Sequence, residues 1–122
     1  MASPLRRIPV SQPYITSSDK AAVLDCLDKT YLSGDSPIVR EFEENFAQAI
    51  GAEYGIAVAN GSVALDLVMH ALDLSEGDEV IVPSNTFIAT WLAVSHSGAR
   101  PVPVDPNPNT HNIDVNLIKQ DL

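Results

Sequence analysis

The chain has 122 residues, 45% of them hydrophobic and 19% charged, and 16 Asp and Glu against 7 Lys and Arg give a formal charge of −9. That length suits one domain able to bury about two thirds of its unfolded surface, so the composition excludes a disordered chain. The basic residues never cluster, which excludes a nucleic-acid groove, and apolar runs such as Ile56 to Ala59 and Val80 to Val82 fall far short of the roughly 18 residues a membrane helix needs.

Pro4 and Pro9 interrupt the first ten residues, so Met1 to Val10 lacks the apolar core of a signal peptide and a cytoplasmic location is expected. Thr16 to Asp19 is a helix-start signal of the Thr-x-x-Asp type, and Val23, Leu24, Leu27 and Tyr31 then share one face of a helix expected to stop near Leu32 to Asp35. Cys26 lies among those apolar positions, where a buried, inert thiol is expected. Ser36 offers an N-cap and Pro37 a first-turn residue to a second helix, whose Val39, Phe42, Phe46 and Ile50 recur at spacings of three and four until Gly51 ends it. Glu41, Glu43 and Glu44 read as its solvated face.

From Tyr54 onward the period changes. Gly55 to Ala59, Glu79 to Val82 and Pro101 to Val104 are uniformly apolar and read as buried parallel strands. Ser62 to Leu72 and Thr86 to His96 are long enough for crossover helices, closed by Ser75-Glu76-Gly77-Asp78 and by Gly98. The layout is β-α-β-α-β, an α/β fold with parallel strands and crossover helices after two N-terminal helices. Asp105 to Asn112 is a Pro- and Asn-rich loop, and Asp114 can cap a last helix from Val115 to Leu122. Three such strands are less sheet than these folds usually carry, so the sequence reads as the front part of something longer.

The junction Ala59-Asn60-Gly61-Ser62-Val63-Ala64-Leu65 carries the clearest chemical signal. A strand end, a glycine turn and a hydroxyl in the first turn of a helix form an anion cup of the kind found at the carboxyl edge of α/β sheets. The Gly61, Ser62 and Val63 N–H groups with the Ser62 hydroxyl can hold a phosphate, or Ser62 can simply cap its helix. Asn60-Gly61-Ser62 is also a glycosylation sequon, discounted because nothing indicates secretion. The next strand end, Val80 to Phe87, should open on the same edge, so that Phe87 can face a phosphorylated ring. Alternatively Phe87 and Trp91, four apart, pack one helix face into the core. His70, His96 and His111 lack the paired spacing of a zinc site, and no metal is expected. Walker, Rossmann and serine-hydrolase motifs have no counterpart in the sequence.

Taken in order, these pieces resemble one family across nearly the whole chain, the DegT/DnrJ/EryC1/StrS sugar aminotransferases, which are pyridoxal phosphate enzymes of fold type I. Tyr31-Leu32-Ser33-Gly34 and Val39 to Ala47, with Phe42-Glu43 and Phe46-Ala47, are similar to the family's aromatic-x-x-Gly loop and following helix. Asn60-Gly61-Ser62-Val63-Ala64-Leu65 is similar to its Gly-Thr-x-Ala-Leu phosphate cup, with Ser62 where Thr is usual. Gly77 to Pro83 with Thr86-Phe87-x-Ala89-Thr90 resembles its next strand and ring-stacking segment, and Gly98-Ala99-x-Pro101-Val102 and Asn112-Ile113-Asp114 continue the likeness.

The resemblance implies the N-terminal part of a fold type I large domain, with residues 1–52 a helical segment and 53–122 the start of the pyridoxal-phosphate-binding part. It implies that Gly61, Ser62 and Val63 hold the cofactor phosphate and that Phe87 stacks on the ring. It also places the Schiff-base lysine and the acidic partner of the ring nitrogen later than Leu122. Lys20, Lys29 and Lys119 are not in matching contexts, so no catalytic residue is expected in this chain and it should not transaminate alone. The parent would convert a nucleotide-linked keto-sugar to an amino-sugar with an amino-acid donor, as a homodimer with the Tyr31 to Gly34 loop near the partner's cofactor. Two other readings are a sugar dehydratase of the same family, working with the pyridoxamine form, and a non-catalytic module for phosphate ligands.

Overall fold

The computed structural model describes residues 8 to 119, in two compact units that divide after Ala57. Most of the first ten residues, and the end of the helix expected to reach Leu122, lie outside the described residues.

In the first unit, α1 spans Ser17–Asp28. Its start is the predicted one: the Thr16 hydroxyl accepts from the Asp19 N–H at 3.3 Å while the Asp19 carboxylate accepts from the Thr16 N–H at 2.7 Å, a reciprocal capping box. Its end comes earlier than expected and leaves Tyr31 off the helix. Thr30 turns left-handed at φ 58°, and the Tyr31 and Thr30 N–H groups return to the Cys26 and Leu27 carbonyls at 2.8 and 3.0 Å. Those two bonds satisfy the last carbonyls and stop the helix without a glycine. Cys26 is half-buried, short of the full burial expected of it.

The second helix, α2, spans Pro37–Ile50, with Pro37 in its first turn and Gly51 left-handed at φ 71°, as the sequence predicts. Phe42 and Phe46 stack with centroids 5.8 Å apart. Ala47 is the buried residue of this helix, and Phe42, Phe46 and Ile50 stay exposed. Glu43 departs from the expected solvated face. It is half-buried and its Oε1 accepts the Ala57 N–H at 2.8 Å, and the returning chain passes so close that a Cβ on Gly55 would sit 2.5 Å from the Glu43 carbonyl oxygen. Gly55 is therefore required by close approach and not by its dihedral angles.

In the second unit, α3 spans Gly61–Ala71, β1 Glu79–Pro83, α4 Ile88–His96, β2 Arg100–Val104 and α5 Val115–Ile118. The strands β1 and β2 pair in parallel, Glu79 opposite Arg100 through Pro83 opposite Val104, with α4 as the crossover. Arg100 donates to the Glu79 carboxylate across the first rung. Val82, Val94 and Ala99 form the buried cluster, and Met69, Leu74, Val80 and Trp91 pack against it. One predicted strand is not realised: among the described residues, Gly55 to Ala59 has no ladder partner. An apolar run becomes a strand only by pairing, and the two strands present pair with each other.

The backbone bonds that bracket the ladder fix which way each strand's donors point. Arg100 N–H donates to Asp78 O at 2.8 Å and Ser84 N–H to Val104 O at 2.9 Å. Alternation along a parallel ladder then turns the Arg100, Val102 and Val104 donors toward β1, leaving Pro101 and Pro103 on the far side, where neither has an N–H to offer.

Of the remaining turns, the end of α3 comes before the expected Ser75 to Asp78 closure, and the others follow the predicted chemistry. Asp73 (φ 54°) ends α3, the Asp78 carboxylate accepts from Ser75 N–H at 2.9 Å, and Gly98 (φ 89°) follows α4. The loop after β2 folds on itself through a Pro106–Ile113 bridge, and the Asp114 carboxylate caps α5 by accepting from Asn116 N–H at 2.9 Å.

Candidate functional site

The start of α3 is built from a tight backbone sequence rather than from packed side chains. Asn60 is extended (φ −169°, ψ 173°) and is itself the N-cap: its Oδ1 accepts the Val63 N–H at 3.1 Å. Ser62 stands one residue inside the helix, so it is not the cap that the simpler sequence reading allowed. An asparagine directly before a helix is a strong cap signal, one that the sequence reading of the junction leaves unused in favour of Ser62. Ala64 N–H donates to Asn60 O at 3.1 Å, which leaves the Gly61 and Ser62 N–H groups without partners among the described residues.

Three further features suit an anion. Gly61 and Ser62 are exposed, a Cβ on Gly61 would meet nothing within 4 Å, and the first turn of α3 contains no carboxylate to repel negative charge. The missing side chain at Gly61 is thus not needed for the protein's own packing, and the space above the turn is open. A phosphate group fits this donor set: two free N–H groups, one free hydroxyl and a positive dipole end. Val63 contributes only if a ligand oxygen displaces the Asn60 side chain from its N–H.

Phe87 is the extended N-cap residue of α4, ahead of the helix rather than inside it, and 76% of it is exposed. Trp91, which the alternative reading packs into the core together with Phe87, does lie against the buried cluster. Within this unit Phe87 is not part of the core. Both site segments belong to the second unit, whose helices α3 and α4 meet along a cleft of about 560 Å³ lined by Val63, Asp66, His70 and His96 among others. Asp66 Oδ1 and His96 Nδ1 lie 3.3 Å apart there. Of the predicted site residues, Val63 alone lines that cleft. His70 and His111 are exposed, and among the described residues no group of three or more His, Cys, Asp or Glu could hold a metal.

The sequence pattern of the DegT/DnrJ/EryC1/StrS aminotransferase family matches residues 13–122. The chain belongs to this family. It is 42% identical over 118 residues to the GDP-perosamine synthase of Escherichia coli O157:H7, covering 97% of this chain and 32% of that protein. Among solved structures, it superposes with a TM-score of 0.84 and 32% identity on the PLP form of Spr1654 from Streptococcus pneumoniae, described as a sugar aminotransferase, over 96% of this chain and 30% of the other. It also superposes at 0.84, with 29% identity, on the E. coli GDP-4-keto-6-deoxy-D-mannose-3-dehydratase with bound hydrated PLP, over 95% of this chain and 31% of that one. The chain thus spans about a third of the length of the relatives it matches, and its fold is that of the corresponding portion of these proteins.

Among the lysines, Lys29 is already engaged. Its Nζ bonds the Asp25 carboxylate at 2.8 Å on the exposed side of α1, and that bond holds its ammonium above the ordinary lysine range. A lysine kept protonated is a poor nucleophile.

Proposed function

We propose that this chain supplies the phosphate cup and the ring-facing aromatic of a pyridoxal-phosphate-dependent nucleotide-sugar aminotransferase, one that converts a keto-sugar to an amino-sugar with an amino-acid donor. The observation that carries the reading is the pair of unpartnered N–H groups at Gly61 and Ser62, beside a free Ser62 hydroxyl, within the stretch that matches the family.

Those two N–H groups and the hydroxyl donate to phosphate oxygens, each bond contributing about 1.5–3 kcal/mol and the helix dipole about 0.3–1 kcal/mol more. Phe87 presents an aromatic face to the ring from the start of α4 and limits water access to it. Pyridoxal phosphate, when bound, supplies the carbonyl and the electron-withdrawing ring that carry an amino group from donor to sugar. The residues of this chain bind and orient, and no catalytic residue is assigned to it. The reading brings with it a cytoplasmic location and a homodimer in which the Tyr31 to Gly34 loop lies near the partner's cofactor.

The test is a titration of the chain with pyridoxal 5′-phosphate, followed by an amino-transfer assay. The expected affinity is no tighter than about millimolar, or −4 kcal/mol, lost in Ser62→Ala and without turnover. In an active parent, Phe87→Leu should weaken cofactor binding while Phe87→Trp keeps it. Turnover by this chain, or binding indifferent to Ser62, would overturn the reading.

The second reading, a sugar dehydratase of the same family, is favoured by the equal superposition on the E. coli dehydratase. The two part on the product made by the active parent: nitrogen is retained in the sugar by an aminotransferase, and a hydroxyl is lost in a dehydratase, which the product mass distinguishes.

A further inference from the structure

Phe87 is exposed, so no packing aims its ring, and its direction must come from the backbone on either side. Downstream it is fixed by α4, where the Thr90 N–H donates to the Phe87 carbonyl at 3.0 Å. Upstream, Thr86 is tied forward to α4, its hydroxyl 3.1 Å from that of Thr90, and the tie back to the sheet, where the chain leaves β1 at Pro83, is made by Ser84. Ser84 is held twice to the end of β2: its N–H donates to the Val104 carbonyl at 2.9 Å and its hydroxyl donates to Asp105 Oδ1 at 2.9 Å. The second bond is charge-assisted, which makes it stronger than a bond between neutral groups. Asp105 is tied in turn, its carbonyl accepting the Asp114 N–H at 3.3 Å. Only Asn85 and Thr86 separate the Ser84 anchor from Phe87.

We propose that Ser84 and Asp105 are positioning residues that clamp the carboxyl ends of β1 and β2 and so aim Phe87 at the cofactor ring. This rests on the reading of Phe87 as the ring-facing residue, and it assigns the aim of that ring to a side-chain pair 21 positions apart in sequence. The clamp acts on the ring alone, because the phosphate cup at Gly61 and Ser62 is built by a different segment.

The test compares two ligands on the intact chain: inorganic phosphate, which reads the cup, and pyridoxine 5′-phosphate, which reads cup and ring together without an aldehyde to react with surface lysines. Amide exchange at residue 84, whose N–H is bonded to the Val104 carbonyl, reads the clamp without any ligand, and exchange at Val82 and Val102 checks that the strands remain intact. Ser84→Ala and Asp105→Ala should each lower the exchange protection of the residue-84 amide and weaken pyridoxine 5′-phosphate about tenfold, with phosphate changed less than about twofold. Ser84→Thr, which keeps the hydroxyl, should restore both. Unchanged exchange, or ring-ligand affinity that both variants leave intact, overturns the clamp alone. Equal weakening of the two ligands also overturns it, by showing a general loss of structure. A wild-type chain that binds neither ligand overturns the cofactor reading and the clamp with it.

Discussion

Ser36 is 6% exposed at the N-cap of α2, yet its hydroxyl bonds neither the helix it precedes nor anything else among the described residues. A capping serine ordinarily costs about 1 kcal/mol to remove, but a buried hydroxyl without a partner costs a similar amount to keep. Ser36→Ala is therefore expected to leave the urea midpoint unchanged or to raise it by the equivalent of up to about 1 kcal/mol, and a clear fall would show a hidden cap bond. The sequence names Ser36 correctly as the residue before the helix and misjudges what its side chain does, because capping depends on a rotamer that spacing does not encode. At Gly61 and Ser62 the reverse holds. Their importance is legible because it lies in local backbone groups, whereas the commitment of the Val63 N–H to Asn60 became visible only with the helix start in place.

At the scale of elements, legibility follows how local each cause is. The ends of α2 are read from Pro37 and Gly51, since one fixes a dihedral angle and the other permits a left-handed one. The end of α1 is not, because Thr30 adopts the left-handed conformation with no sequence signal for it. The capping box of α1 makes its start pH-sensitive. The Thr16 N–H, then the Thr16 hydroxyl, hold the Asp19 carboxyl below the usual carboxylate range. A carboxyl depressed in the folded state contributes above its unfolded value of about 3.9, and the contribution is lost as pH falls through the lower folded value. Amide protection at Asp19 and Lys20 should hold from neutral pH to about 4 and drop below it, and Asp19→Asn should flatten that dependence. Glu43 is the element-scale surprise, because a helical wheel gives its side of α2 but not the chain that returns beneath it. Gly55→Ala would drive a Cβ into the Glu43 carbonyl, and since backbone cannot yield as a side chain can, a loss of about 1–3 kcal/mol is expected. Accelerated exchange of the Ala57 amide would locate the damage, and a fully protected amide in that variant would refute the close approach.

For the molecule as a whole, the run at Gly55 to Ala59 is the main departure from the sequence reading: its apolar pattern is sound, but strand pairing is a long-range event that no local pattern decides. The paired strands carry a related asymmetry. The inner side of β2 offers regular donors to β1, and its outer side carries Pro101 and Pro103. Exposed apolar edges normally invite pairing between molecules, and prolines are among the devices that prevent it. Replacing both with valine should restore two donors to that edge and raise the share of dimers and larger species on gel filtration at matched concentration. An unchanged profile would mean that the edge is protected by something other than its missing donors. The same two prolines give the sheet a direction of growth. Any further strand must join beside β1, where Glu79 and Ile81 keep outward-facing N–H groups, so the first closed side of the sheet is written into five residues before any later strand has been made.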